Sequence, residues 1–443
     1  MKPTVKSALW GITAVTAVLA LAAGLAAYTG LAPAGRVTML ATWTGNEQKA
    51  FEKVLDAFTD ETGIRVDYTG TRALNQVVLS QVQKGTPPDV AALWSAGELE
   101  RYARNGDLHP LNDVIGRDRE DYRPQWRLAE SSAAEAPFYV IPVKASLKSM
   151  IWFNPRRFPR PAPKTWAELM KRSDAEVAAK RTPWCMGMSD PPTSGWAGTD
   201  WIEDIVLHRY GPDVYQRWAS GELSWTSKEI EGAWRTWGEV AARPGSVPGG
   251  SMATLVADYQ DAGRLMVGAR PACSLQHQPS FIMTDYQDGP PPGKTYPVTD
   301  YDYFPFPKFD GRPEDSAVVS ADLLGMFNDT KEARRLVRFL ASEKTQRIWP
   351  AVPSSAAFSL NRRVHETGAD PISRKISGML TSPDYLLCLD ASDLFPAAMQ
   401  NAFNRAALAY VNRPDKLGLI LRDLERIRST VQRKRWSTST CGR

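Results

Sequence analysis

The sequence predicts an α/β protein with more than one lobe, and three observations support this fold class. Short apolar runs alternate with helical patterns between residues 36 and 111, as in parallel sheets whose strands are joined by helices. The chain has 443 residues, which exceeds what one ordinary hydrophobic core holds. Its 43% of hydrophobic and 23% of charged residues are typical of a folded globular protein.

The first of these segments has the pattern of a βαβ unit. We expect strands at 37–41, 64–68 and 90–94, one helix that follows the break at 42–45 and ends at Gly63, and another at 96–105. The apolar positions of the first helix are Ala50, Phe51, Val54, Leu55 and Phe58. A capping box of Ser95 and Glu98 starts the second helix. Two of these strands each end in a tryptophan, Trp43 or Trp94, and a helix follows each of them. Since ligands of open α/β sheets bind beyond the carboxyl ends of strands, both indoles are candidates for ligand contact.

The rest of the chain continues with both kinds of element. The patterns predict strands at 138–143 and 149–154 on either side of Lys144, a helix capped by Thr165, largely helical structure at 198–243, strands at 301–307 and 318–327, a helix from Lys331 to Trp349, and a helical end at 393–434 with a break at Pro414. The chain is long enough for these elements to form a second lobe.

Residues 1–34 have the features of an export segment. Lys2 and Lys6 precede an uncharged run from Ala8 to Ala32, and Ala32-Pro33-Ala34 matches a signal-peptide cleavage site. The apolar run is longer than usual in a signal peptide and is long enough to span a bilayer. We therefore expect either a cleaved signal peptide or an N-terminal membrane anchor, and in both cases an exported protein at the extracellular face of the cell membrane.

Export makes the cysteines informative, because an oxidising compartment permits disulfides. The chain has four cysteines, Cys185, Cys273, Cys388 and Cys441, which allow three pairings. We favour Cys185–Cys273 with Cys388–Cys441, since each pair then lies within one region of the chain. The scattered cysteines lack the spacing of a zinc site, and we expect neither a metal nor a cofactor.

The charge balance argues against nucleic acid as a partner. The formal net charge of +5 is small for this length, and basic and acidic residues are mixed almost throughout.

The chain is rich in tryptophan, with 15 residues, and an indole supplies a flat apolar face together with one N–H donor.

The order of these elements resembles bacterial extracellular solute-binding proteins of family 1, the maltose- and oligosaccharide-binding subunits of ABC importers. The resemblance covers roughly residues 36–430, and four segments carry it: Ala41-Thr42-Trp43-Thr44-Gly45; Gly85-Thr86-Pro87-Pro88-Asp89-Val90; Ile151–Pro155 with Pro163–Leu169; and Ser194–Asp204. One departure is that no cysteine precedes Cys185, so the cysteine to which Gram-positive members attach lipid is missing.

The resemblance implies a two-lobe periplasmic-binding-protein fold (type II, maltose-binding-protein-like) with a hinge and a ligand cleft between the lobes. Lobe one would comprise 36–143 plus 316–349, and lobe two 144–315 plus 350–436. The chain would cross between them near 143–145, 313–318 and 349–354. The implied function is that of a monomeric, non-enzymatic substrate-binding subunit, which binds a sugar or oligosaccharide as its lobes close and delivers it to ABC permease subunits in the membrane.

Sugars present hydroxyl groups and apolar C–H faces, so their sites need aromatic platforms flanked by polar side chains. We expect Trp43 and Trp94 to act as platforms from lobe one, and Trp196, in a loop rich in glycine and serine, to act from lobe two. The full candidate set is Trp43, Thr44, Trp94, Ser95, Lys144, Trp196, Asp200, Trp201, His277, Gln278 and Asp322. Four other tryptophans, at 218, 225, 234 and 237, have helical spacing and are expected in the core.

Two other functions remain open from the sequence. A membrane-tethered sensor would bind the same ligand but signal to a partner. An exported glycosidase would need two carboxylates on opposite sides of the scissile bond, and Asp200, Glu203 and Asp204 are neighbours on one helix, which does not permit this. We therefore expect a binding protein rather than an enzyme.

Overall fold

We describe the fold from a computed structural model, which covers residues 35–123, 126, 137–287, 298–311, 315–353, 355–365, 370–433, 436 and 440–442. The expected export segment, 1–34, lies outside these residues, as do positions 313 and 354 of two expected crossings. In the part of the chain that is described, no helix combines the length and apolar character needed to cross a membrane.

The strands form two sheets. They are β1 (Arg36–Ala41), β2 (Arg65–Gly70), β3 (Val90–Leu93), β4 (Val140–Leu147), β5 (Met150–Phe153), β6 (Leu275–His277), β7 (Asp302–Pro305), β8 (Ser316–Met326), β9 (Leu386–Leu389) and β10 (Cys441–Gly442). The larger, seven-stranded sheet has the order β10-β9-β8-β3-β1-β2, and β4 pairs with β8 outside this path. The smaller sheet has the antiparallel order β6-β5-β7.

Helices cover both sheets. They are α1 (Gly45–Thr62), α2 (Leu74–Gln83), α3 (Ala96–Asn105), α4 (Asn112–Ile115), α5 (Trp166–Ala178), α6 (Trp196–Ile205), α7 (Pro212–Ala219), α8 (Lys228–Ala241), α9 (Gly250–Val256), α10 (Tyr259–Arg264), α11 (Met283–Gln287), α12 (Lys331–Ala341), α13 (Glu343–Ala351), α14 (Pro371–Thr381), α15 (Ala391–Leu394), α16 (Ala397–Asn412) and α17 (Leu417–Thr430). We call the part packed on β1, β2 and β3 lobe one, and the part packed on β5, β6, β7 and β9 lobe two.

The predicted βαβ unit forms the centre of lobe one. β1 pairs in parallel with β2 and with β3, so their carboxyl ends meet at one edge of the sheet. α1 buries one apolar face, including Phe51, Val54 and Phe58, and ends at Gly63, whose φ of 70° is accessible to glycine. Ser95 caps α3 by accepting a hydrogen bond from the backbone N–H of Glu98, which confirms the predicted cap.

Lobe two is held by an aromatic core between helices. The side chains of Trp218, Trp225, Trp234 and Trp237 are fully buried, as predicted from their helical spacing. The Trp225 ring lies 4.9 Å from that of Phe403, on α16, and the contact is edge-to-face. This packing joins α7 and α8 to the C-terminal helices.

Two long strands, β4 and β8, cross between the lobes. Residues 323–326 of β8 pair with β3, and residues 316–319 pair with β9. Between these stretches, residues 320–322 pair only with residues 144–146 of β4 among the described strands. The crossing therefore consists of these two strands, with an isolated bridge from Ala145 to Phe358 beside them.

Two predicted boundaries are wrong. Lys144 does not separate two strands but lies within β4, where the carboxylate of Glu47 compensates its charge. The predicted helix from Lys331 to Trp349 is interrupted at Ser342, whose extended backbone ends α12 and whose side chain caps α13.

The disulfides form in the predicted pairing, Cys185–Cys273 and Cys388–Cys441. Cys441 of β10 lies opposite Cys388 in the antiparallel ladder, so the second bond fastens the C-terminal strand to β9.

Candidate ligand-binding cleft

A cavity of about 130 Å³ lies between the lobes at the crossing of β4 and β8. Its floor consists of Lys144 and Ser146 from β4 and Ser320 and Asp322 from β8, since alternate residues of a strand share one face. The other lining residues are Thr42, Trp43, Glu47, Arg72 and Trp94 from lobe one, and Lys148, Asp190, Thr193, Trp196, Phe281, Ser392, Asp393, Gln400 and Asn404 from lobe two.

On the side of lobe one, packed aromatic rings lie behind the cavity wall. Trp43 is only 1% exposed, and its ring centroid lies 4.6 Å from those of Phe51 and Trp349. Its Nε1 donates to Oδ2 of Asp322 at 2.8 Å, and burial raises the pKa of Asp322. Trp43 therefore positions Asp322, whereas the half-buried Trp94 offers more of its ring to the cavity.

An ion pair closes the floor on the side of lobe one. Glu47, in the first turn of α1, contacts the ammonium of Lys144. The Lys144 side chain is 4% exposed and that of Glu47 is 19% exposed, so water reaches the carboxylate better than the ammonium. The helix dipole of α1 also favours an acid at this position.

The wall from lobe two begins at Trp196, the first residue of α6. Its Nε1 donates to Oδ2 of Asp190 at 2.9 Å, and the ring makes edge contact with Tyr259 at 5.0 Å. Gly195 precedes it with a φ of 106°, and a Cβ there would lie 2.2 Å from the carbonyl oxygen of Asn404. Glycine is thus required for α6 to approach α16, and this approach brings Trp196 and Asn404 to one wall.

A buried charge network centred on Lys148 lies behind this wall. The Lys148 Nζ contacts Oδ1 of Asp200 at 2.9 Å and also the carboxylate of Asp390. Burial favours the neutral amine, but the two carboxylates outweigh it and raise the pKa of Lys148 well above its usual value. Burial likewise opposes ionisation of Asp390, yet Lys148 lowers its pKa. We conclude that Lys148 and Asp390 form a charged pair.

Two neighbouring carboxyl groups behave differently. Burial raises the pKa of Glu203 and Asp393 well above the usual range, and the charge of Asp390 adds to the effect. Asp393 lines the cavity, and its protonated form can donate a hydrogen bond to a ligand as well as accept one.

Arg72 and Asp190 form an ion pair across the cleft. Arg72 of lobe one contacts Asp190 of lobe two at 3.0 Å, and its guanidinium lies 3.5 Å from the hydroxyl of Tyr259. The Arg72 side chain is 42% exposed, so the pair is worth about 0–1 kcal/mol. This ion pair therefore adds little to the contact between the lobes, which also includes α3: a Cβ at Gly97 would lie 2.5 Å from the carbonyl oxygen of Phe395.

The structure brings several of the sequence-predicted residues together. The residues that line the central cavity are Trp43, Trp94, Lys144, Trp196 and Asp322. Thr44 lines an adjoining pocket, together with Glu47 and Tyr259.

The other predicted residues are buried and do not line the central cavity. They are Ser95, Asp200, Trp201, His277 and Gln278. Ser95 caps α3, and Asp200 binds Lys148 behind the wall. The Trp201 ring packs 4.5 Å from that of His277, whose Nε2 lies 2.6 Å from Oδ2 of Asp204. Gln278 accepts a hydrogen bond from Trp152 through its backbone carbonyl.

Several lining residues were missed, although the sequence holds a signal for some. Ser146 and Lys148, together with the predicted Lys144, alternate with apolar residues, which indicates a strand with one solvent-accessible face. Gln400 and Asn404 are spaced by four in a helical stretch and therefore share one of its faces. Arg72 and Asp190 have no such pattern, because they meet only when the lobes come together.

Residues 43–347 match the family described as bacterial extracellular solute-binding protein. The chain belongs to this family. The solute-binding protein is 30% identical over 374 residues to the osmoprotective compounds-binding protein GgtB of Synechocystis sp., covering 82% of this chain and 85% of the relative. It is 28% identical over 379 residues to the alpha-glucosides-binding periplasmic protein AglE of Rhizobium meliloti, covering 81% and 80%.

The fold of the solute-binding protein is also found in solved structures. Maltose-bound MalE3 of T. maritima aligns with a TM-score of 0.65 at 15% identity, covering 89% of this chain and 100% of that chain. The predicted two-lobe, maltose-binding-protein-like fold is thereby confirmed, and the cavity described above lies between its lobes.

Proposed function

We propose that this protein is the extracellular substrate-binding subunit of an ABC importer and that its ligand is a neutral saccharide. The observation that carries this proposal is the charge balance of the cavity. Each lining cation already has a carboxylate partner: Lys144 pairs with Glu47, Lys148 with Asp200 and Asp390, and Arg72 with Asp190. The two remaining lining acids, Asp322 and Asp393, have raised pKa values. A charged ligand would have to break one of these pairs.

The uncharged part of the wall suits a sugar. Trp94 and Trp196 approach from opposite lobes, and an indole face packs against the apolar C–H face of a sugar ring. Ser146, Ser320 and Gln400 add hydroxyl and amide groups that both donate and accept hydrogen bonds. The name of the relative AglE, which refers to alpha-glucosides, supports a saccharide ligand.

Binding energy would be used to close the lobes rather than to break a bond. The relatives are binding proteins, and closure of two domains around a ligand is an established way to report its presence to a partner. We place the hinge at residues 144–146 and 320–322, so that 316–319 belong with lobe two. Residues 1–34 would direct export, and would hold the protein at the membrane if they are retained.

Calorimetry on the purified protein tests this function. The panel would contain maltose, trehalose, sucrose and raffinose as neutral saccharides, and zwitterionic glycine betaine and anionic glutamate as solutes that carry charged groups. We expect at least one saccharide to bind, neither charged solute to bind, and Trp94→Ala to weaken binding about tenfold or more. Leu419→Ala, an exposed apolar residue outside the cleft, is the control. Preferential binding of a charged solute would contradict the proposal.

A further inference from the structure

A second cavity continues from the central one. A groove of about 860 Å³ opens beyond Trp94 and shares with the central cavity Arg72, Trp94, Thr193, Gln400 and Asn404. α2 and α3 of lobe one form one side, and the start of α16 with residues 431–432 forms the other. Its volume lies within the roughly 300–1,000 Å³ of typical ligand pockets, whereas the central cavity alone lies below that range.

Amide side chains line both sides of this groove, which we call the amide groove. They include Asn75, Gln76 and Asn105 from lobe one, and Gln400, Asn401 and Asn404 from lobe two. An amide both donates and accepts hydrogen bonds without carrying charge, which matches a hydroxyl group. The side-chain oxygens of Asn75 and Asn404 are buried and have no hydrogen-bond partner among the described residues. These two oxygens lie beneath the accessible surface, and a ligand in the groove meets instead the exposed amides of Gln76, Asn105 and Asn401.

The charges in the amide groove are compensated within the protein. Arg101 pairs with Glu98, and Arg104 pairs with Glu100 at 3.2 Å. Between these polar groups, Leu79 and Pro396 supply apolar surface. The groove therefore combines amides with apolar patches and offers little to an anion or a cation.

We propose that the amide groove binds the continuation of a neutral oligosaccharide longer than a disaccharide, with one terminal ring in the central cavity. Trp94 lies at the junction of the two cavities, where its ring can stack on the sugar that connects them. This inference depends on the proposed function, which requires only that a neutral saccharide binds in the central cavity. It adds the length of the ligand and the direction in which it leaves the cleft.

Chain-length dependence tests the inference. Calorimetry on the purified full-length protein would compare maltose, maltotriose and maltotetraose. We expect the affinity for maltotriose to exceed that for maltose about tenfold, or ~1.4 kcal/mol. The double variant Gln76→Leu/Asn401→Leu, which removes one exposed amide from each side of the groove, should reduce this ratio to about one. Gln216→Leu/Asn412→Leu, which removes two exposed helix amides outside the groove, should keep the ratio of the unmodified protein.

The outcomes separate the two proposals. If maltose and maltotriose bind equally well, or if the groove variant keeps the ratio of the unmodified protein, the inference is wrong while the proposed function stands. If none of these sugars and no saccharide of the wider panel binds, the proposed function fails, and the assignment of the amide groove fails with it.

Discussion

The two walls of the cleft are built on different physical principles. The wall of lobe one is backed by three mutually packed rings, those of Trp43, Phe51 and Trp349. Trp43 also donates one hydrogen bond to Asp322. The wall of lobe two is backed by buried charges, because Lys148 forms ion pairs with both Asp200 and Asp390. Packing is insensitive to pH, whereas a buried charge network depends on the protonation of each member. Lobe two should therefore respond more strongly to removal of a charge and to pH.

Removal of the central lysine should have the largest effect. Lys148→Met leaves Asp200 and Asp390 buried without their cation, and loss of one partner of a buried pair costs about 3–5 kcal/mol. Lys144→Met is the matched variant on the side of lobe one, where the partner Glu47 is partly hydrated, so we expect less than half of that loss. Urea titrations of both variants measure the free energy of unfolding.

The size of the Lys148 effect can be checked by a second substitution. Asp390→Asn in the Lys148→Met background removes one of the uncompensated carboxylates and should recover part of the lost stability. If Lys148→Met and Lys144→Met lose equal free energies of unfolding, the expected difference between the two walls is wrong.

The next effect concerns pH at the rim of lobe two. Burial, together with the nearby charge of Glu47, raises the pKa of Asp285 to about 7. The folded protein thus keeps a proton that the unfolded chain releases near its ordinary pKa of about 4, so stability falls as pH rises between these values and then levels off. Asp285→Asn should abolish this fall, which amounts to about 3 kcal/mol between pH 5 and pH 8 because roughly two pKa units are involved.

Urea titrations at the two pH values provide this measurement. Asp261→Asn, at an exposed aspartate of α10, is the control and should keep the pH dependence of the unmodified protein. A pH profile of Asp285→Asn that matches the unmodified protein would show that Asp285 ionises normally in the folded state.

The smallest effect is expected in lobe one. Trp43→Phe keeps a ring in the core but removes the N–H that binds Asp322, which leaves a buried carboxyl group without its donor, at about 1–3 kcal/mol. Trp349→Phe also replaces an indole of the same cluster by a smaller ring. The Nε1 of Trp349 has no hydrogen-bond partner among the described residues, so this substitution breaks no hydrogen bond there. Thermal or urea unfolding should therefore show a larger loss for Trp43→Phe than for Trp349→Phe. A reversed order would mean that packing alone sets the cost.

The same contrast explains what the sequence could predict. Elements of lobe one follow from local patterns: the apolar run of β1, the spacing of Phe51, Val54 and Phe58, and the cap at Ser95. These local patterns also predict where a residue at the end of a strand lies. The position of Trp94 at the end of β3 therefore predicted its place beside the cavity.

The wall of lobe two could not be predicted in this way, because its residues come from distant parts of the chain. Lys148 meets Asp390 across 242 positions, and Gln400 reaches the cavity from a C-terminal helix. Asp200 and Trp201 follow Trp196 in sequence, yet the turn of α6 directs them into the interior. Proximity in sequence to one lining residue therefore predicts little about the next residues of a helix.

The most direct test of the central claim is a crystal structure of the protein with a bound saccharide from the calorimetry panel. The account predicts a sugar ring at the crossing of β4 and β8, in van der Waals contact with Trp94 and Trp196, with the ion pairs of Lys144 and Lys148 intact. A ligand bound outside the cleft, or one whose charged group replaces a carboxylate at Lys148 or Arg72, would contradict it.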